Sequence, residues 1–189
     1  KYVPLQRPAK NEGQTALMTQ FSMGDIARIG LLKMDFLGLA NLTILGKSRE
    51  IIRETYGEDI DLYNLPMDDA KTFKLLAAGE TAGVFQLEGA GMRRYIKDLK
   101  PTTFSDIAAM VALYRPGPMQ FIDSFIDRKH GREEVTYEHP GMEAALGNTY
   151  GILVYQEQFM QISKDMCGFT GGQADTLRKA IGKKQRETM

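Results

Sequence analysis

The chain has 189 residues, room for one domain or parts of two, and its 43% hydrophobic and 25% charged residues fit a soluble folded protein. The 24 basic and 24 acidic side chains cancel, so no global field favours nucleic acid and any such affinity has to be local. Cys167 is the one cysteine, which excludes an intrachain disulfide and a cysteine-based zinc site, and no apolar run approaches the ~18 residues of a membrane span.

Taken in order, residues 1–25 read as irregular, with Pro4, Pro8 and Gly13. Gly30-Leu31-Leu32-Lys33-Met34-Asp35-Phe36 reads as a short strand bounded by Gly30 and Gly38. Period-two alternation puts Leu32, Met34 and Phe36 on one face and Lys33 with Asp35 on the other. A helix over 42–56 follows Asn41, an expected N-cap, and stops at Gly57. Another over 67–78 stops at Gly79, with Asp68 and Asp69 in its first turn, where carboxylates suit the dipole.

Thr103 opens a helix over 104–114, which ends before Pro116 because proline disfavours helical geometry in the preceding residue. Arg115-Pro116-Gly117-Pro118 is then a rigid turn, followed by a helix over about 120–128. Gly151-Ile152-Leu153-Val154 reads as a short strand before a helix carrying Tyr155, Phe159, Ile162 and Met166 on one stripe. Thr170 with Gln173 forms a capping-box pattern for the last helix, whose narrow apolar stripe is Ala174, Leu177 and Ile181. The expected class is α+β, predominantly α-helical. The chain opens at Lys1 without a methionine and stops at Met189 without a capping signal, so both ends are expected to be cuts in a longer protein.

Three features carry candidate chemistry. Asp35, on a strand two residues from Lys33, suits a hard cation such as Mg²⁺ through oxygen, with Lys33 left to meet phosphate. The plain alternative is a surface Asp–Lys pair, worth little. Arg178, Lys179, Lys183 and Arg186 fall within roughly a 140° arc of the last helix at ~100° per residue. Arginine there can fork onto phosphate oxygens and lysine acts as a point charge. The alternative is a solvated face with Asp175 paired to Lys179. Gly182 weakens that helix by roughly 1 kcal/mol against Ala, as close approach of a backbone or ligand would require. Arg115, its backbone fixed by the turn, can aim at a phosphate or cap a helix C-terminus. Asp59 and Asp61 read as a solvated loop, and His130 and His139 have no ligand spacing.

Several of these segments, in this order, resemble the alpha subunit family of bacterial DNA polymerase III, the C-family replicative polymerases. They are the Gly30–Leu39 strand segment, Gly83-Val84-Phe85-Gln86-Leu87-Glu88, Val111–Pro118, Phe125–Gly131, Thr149–Ile152, Val154-Tyr155-Gln156-Glu157-Gln158 and Ala174–Lys184. The resemblance implies that residues 1–40 are the C-terminal part of a palm domain and 41–189 part of the fingers. It implies template-directed transfer of a nucleotide from a dNTP to a primer 3′-hydroxyl with two Mg²⁺ ions. Asp35 then matches the third metal-binding aspartate of the palm, and Lys33 a lysine near the triphosphate. Arg178 and Lys179 match an arginine pair that contacts nucleotide phosphates, with Lys at the second position, and Lys183 and Arg115 are further nucleotide contacts. The upstream Pro-Asp-x-Asp-x-Asp pair is absent from the 189 residues, so the fragment is expected to be inactive alone. Implied partners are primer–template DNA, dNTP and, for the whole protein, a sliding clamp and other replisome subunits, with no membrane and a cytoplasmic setting. Competing readings are a non-catalytic nucleotide- or nucleic-acid-binding module and a helical protein-interaction domain.

Overall fold

The structure, a computed structural model, describes residues 2–8 and 17–182. Two short strands, β1 (Leu5–Gln6) and β2 (Met18–Thr19), pair antiparallel, with Leu5 opposite Thr19 and Gln6 opposite Met18. Nine α-helices are described: α1 (Met23–Arg28), α2 (Ala40–Tyr56), α3 (Ala70–Ala78), α4 (Ala90–Leu99), α5 (Phe104–Leu113), α6 (Ile122–Lys129), α7 (Glu143–Leu146), α8 (Gln156–Cys167) and α9 (Gly171–Gly182). Single 3₁₀ turns lie at Pro118–Phe121, Pro140–Met142 and Gly147–Thr149. Helix makes up 57% of the structure, which agrees with a predominantly helical α+β class. The chain divides into two units, Lys1–Ile60 and Asp61–Met189.

In the first unit the expected strand over 30–36 does not form, and residues 31–39 have no regular structure. A strand needs a neighbour to satisfy its backbone groups. Among the described residues the only paired strands are β1 and β2. Leu32, Met34 and Phe36 are accordingly 82%, 65% and 89% exposed rather than packed. The segment expected to be wholly irregular holds β1, β2 and the start of α1. Ser22 caps α1, its side chain accepting from the Asp25 amide. Helix α2 starts one residue before the expected Asn41 cap, with Leu39 in the cap position and no side-chain cap bond. It stops where expected: Gly57 is left-handed and its N–H bonds Arg53 O. None of the 17 residues of α2 is buried.

The second unit holds the core. Helix α3 begins later than expected, with Asp69 as its N-cap rather than in its first turn. The Asp69 carboxylate accepts from the Thr72 hydroxyl (2.6 Å) and amide (2.8 Å), which hold it below its ordinary value. Helix α4, which the sequence reading did not anticipate, buries Met92, Ile96 and Leu99, spaced at helical period. His130 Nε2 lies 3.1 Å from both Asp98 O and Leu99 O, so it caps the end of α4 rather than binding metal. Helix α5 has the expected Thr103 cap as a full capping box with Asp106. Met110, Leu113, Ile122 and Phe125 from α5 and α6 complete a core at 0–1% exposure. Burying each such side chain contributes about 1.5–3 kcal/mol.

A polar network pins this core. Asp106 and Lys129, 4% and 8% exposed at their side chains, form an ion pair at 3.2 Å. The same carboxylate accepts from the amides of Thr102 (2.9 Å) and Thr103 (3.1 Å) and lies 3.4 Å from the Tyr150 hydroxyl. Burial pushes Asp106 up, but the Thr102 amide and Lys129 outweigh it, and its carboxyl lies below its ordinary value. The expected strand over 151–154 does not form; Gly151 lies in a turn, and residues 152–155 are irregular and lead into α8. Among the described residues no second strand lies beside them; the Ile152 amide donates to Thr149 O and the amides of Val154 and Tyr155 donate to the Gln158 side chain. Cys167 closes α8 and is exposed.

Candidate functional site

Helices α8 and α9 pack together, and the start of α8 with the end of α9 bounds a groove of about 230 Å³. Val154, Tyr155, Gln156 and Phe159 form one side; Arg178 and Gly182 contribute from α9. Burial pushes the Tyr155 phenol above its ordinary value, so it stays protonated at neutral pH. A Cβ built at Gly182 would meet nothing within 4 Å, so no close approach among the described residues demands glycine there.

The last helix is capped as the sequence indicates. Gln173 Oε1 accepts from the Thr170 amide (2.9 Å), and the Gln173 amide donates to Thr170 Oγ1 (3.4 Å). Ala174 is buried as expected, but Ile181 is 44% exposed and Ala180, not part of the expected stripe, is buried. Arg178 and Lys179 share one carboxylate. Arg178 Nε and Nη2 donate to Asp175 Oδ1 at 3.0 and 2.7 Å, and Lys179 Nζ lies 2.7 Å from Asp175 Oδ2. Hydrogen bonds from Lys179 and then Arg178 hold the Asp175 carboxyl below its ordinary value. The Asp175–Lys179 pairing weighed from sequence is therefore present, and Arg178 joins it. Two cations on one carboxylate leave a single net positive charge. Arg178 Nη1 donates further to Gln156 Oε1 at 2.9 Å. Among the described residues three of the five guanidinium N–H donors are thus engaged and two remain.

The other sequence candidates fall as follows. Lys33 Nζ pairs with Asp35 Oδ1, so these two share a side as the alternation predicted. Both are well exposed, at 39% and 66%, with Asp35 clear of hydrophobic packing. Arg115 is exposed on the turn after α5, and its guanidinium makes no hydrogen bond or ion pair among the described residues. It therefore caps no helix end. Lys183, like Arg186, lies outside the described residues. Asp59 pairs with Arg49 at 2.7 Å, and Asp61 accepts from the Tyr63 amide at 2.9 Å, as residues of a polar loop do.

No group of three or more His, Cys, Asp or Glu side chains that could hold a metal ion occurs among the described residues. Asp35 offers one carboxylate, already engaged by Lys33. Magnesium demands a near-octahedral oxygen set, so the donors among the described residues fit one ligand position and not a two-ion centre. No helix among the described residues is long and apolar enough to cross a membrane.

Sequence reasoning missed Gln156, Gln158 and the Arg178–Asp175 bond. The last was legible as an i,i+3 acid–base pair. Gln158 sits in a helix start with no pattern to mark it as buried.

Comparison with known proteins places the chain. A model of the bacterial DNA polymerase III alpha subunit finger domain matches residues 41–189. The DNA polymerase III subunit alpha of Halalkalibacterium halodurans is 55% identical over 172 residues, 91% of this chain and 15% of that protein. That of Aquifex aeolicus is 53% identical over 180 residues, 94% of this chain and 15% of that protein. That of Staphylococcus aureus (strain COL) is 47% identical over all 189 residues and 17% of that protein. The chain thus spans between 15% and 17% of the length of these curated relatives.

Proposed function

The chain belongs to the bacterial DNA polymerase III alpha subunit finger domain family, and from this premise we propose that it is a palm–fingers segment of a DNA-directed DNA polymerase. Residues 1–40 would be the C-terminal part of the palm and 41–189 part of the fingers, a division supported by a family match that starts at residue 41. The whole protein would catalyse attack of a primer 3′-hydroxyl on the α-phosphate of a dNTP, releasing pyrophosphate. Its setting would be cytoplasmic, and its partners primer–template DNA, a sliding clamp and other replisome subunits.

The observation that carries the reading is Arg178. Its guanidinium is anchored at a groove rim and, among the described residues, keeps two N–H donors. Charged donors fixed in place before the ligand arrives stabilise developing phosphate charge without reorganising. Lys179, a point charge without a fork, would add to the field, with Lys183, Arg115 and Lys33 as further phosphate contacts. Asp35 would supply one carboxylate to a magnesium centre completed by other parts of the polymerase. Such a pair of cations stabilises attacking and leaving oxygens when bound.

Three measurements test this. The purified 189-residue chain should not extend a primer with Mg²⁺ and dNTPs, and extension would overturn the reading. In the full-length polymerase, Asp35→Asn should lower kcat by more than the roughly 10–100-fold that loss of an outer-shell partner costs. Arg178→Ala should raise the KM for dNTP. A polymerase indifferent to both substitutions would leave a protein-interaction role as the better reading.

A further inference from the structure

We infer that Gln156 is a positioning residue, which with Asp175 holds the Arg178 guanidinium from two sides so that it meets a phosphate in one orientation. This rests on the reading that Arg178 contacts the nucleotide triphosphate. A free arginine side chain carries substantial rotamer entropy. Ordering it at the moment of binding weakens affinity, so holding it in advance strengthens it.

The two anchors are not equivalent. Asp175 lies one turn back on the same helix and bonds Nε and Nη2. It ties the guanidinium to α9 alone. Gln156 comes from α8, 22 positions away in sequence, and bonds Nη1 at 2.9 Å. It ties Arg178 to the opposite side of the groove. A neutral amide also anchors the guanidinium without taking up the one net positive charge that Asp175 leaves on the Arg178–Lys179 pair. A carboxylate at 156 would cancel that charge.

Gln156 is itself held. Gln158, 7% exposed, accepts from the backbone amides of Val154 and Tyr155, both at 2.9 Å. Its Nε2 donates to Ala145 O (3.1 Å), Asn148 Oδ1 (3.3 Å) and Thr149 Oγ1 (2.7 Å). The two residues before Gln156 are therefore fixed to the preceding turn by a side chain with every polar atom satisfied. The visible consequence of that network is where Gln156 starts α8.

The test is steady-state incorporation of one dNTP by the full-length polymerase on a primer–template, comparing Gln156→Ala, Gln156→Glu, Arg178→Ala and the Gln156→Ala/Arg178→Ala double variant. Gln156 is exposed, so its substitution leaves the core intact. Gln156→Ala should raise the KM for dNTP about five-fold, more than it changes kcat, because a hydrogen bond to a charged group is lost. Gln156→Glu should raise it further. On the Arg178→Ala background the Gln156→Ala effect should vanish, the signature of two residues acting as one unit. An unchanged KM in Gln156→Ala, or a rise that persists without Arg178, overturns the positioning role. An unchanged KM in Arg178→Ala overturns instead the phosphate role on which it rests.

Discussion

The two units solve the same local problem with different results. Helix α2 has 17 residues and a well-formed glycine stop, yet buries none of them. Helix α5 has only 10 residues and buries Asp106, Ala109, Met110 and Leu113. Caps and propensity thus suffice to shape a helix, but its stability comes from what covers its apolar side. The same contrast holds for charges. Lys33–Asp35 and Arg49–Asp59 in the first unit are exposed pairs, whereas Lys129–Asp106 in the second is nearly sealed.

Amide exchange would break or sharpen this comparison most strongly. In the 189-residue chain, the amides of α5 and α6 should be protected at least about a thousand-fold more than those of α2, because only the former lose their bonds through global opening. Equal protection would erase the distinction between the units. Next in size is the sealed ion pair. Asp106→Ala leaves Lys129 buried and unpaired and should cost about 3–5 kcal/mol in urea unfolding of the second unit.

The pH dependence has a definite sign. The folded-state pKa of Asp106 is lowered, so its contribution is full above the ordinary carboxylate value and is lost as pH falls through the folded value. Asp106→Asn should therefore flatten the stability profile below about pH 4. The smallest effect belongs to the first unit. Arg49→Ala should change stability by no more than about 0.5 kcal/mol, and less at high salt, since both partners are solvent-screened. A cost above 2 kcal/mol at this exposed pair would mean that the first unit is held by its charges after all.

What the sequence revealed was local chemistry. Thr103 opening a helix, Thr170 with Gln173, and the stops at Gly57 and Gly79 are short-range signals, and each appears in the structure. The segment over 30–36 shows the limit. Its alternation correctly put Lys33 beside Asp35, but pairing with another strand is a long-range event that alternation cannot supply. Helix α4 escaped notice because Gly89 caps it without a side-chain bond and Lys100 ends it in a left-handed conformation rarely taken by lysine. The basic face of α9 was legible as charge. That Arg178 leans on Gln156 was not, because that contact joins different helices.

The exposed thiol at Cys167 offers a practical route to watching this helix pair. It ends α8 eleven residues after Gln156, roughly 16 Å along the helix axis. A maleimide fluorophore attached there would report on the hairpin without crowding the opposite end. Since the 189 residues hold no other cysteine, labelling needs no mutagenesis, and a shift in emission on adding dNTP would be read at a single known address.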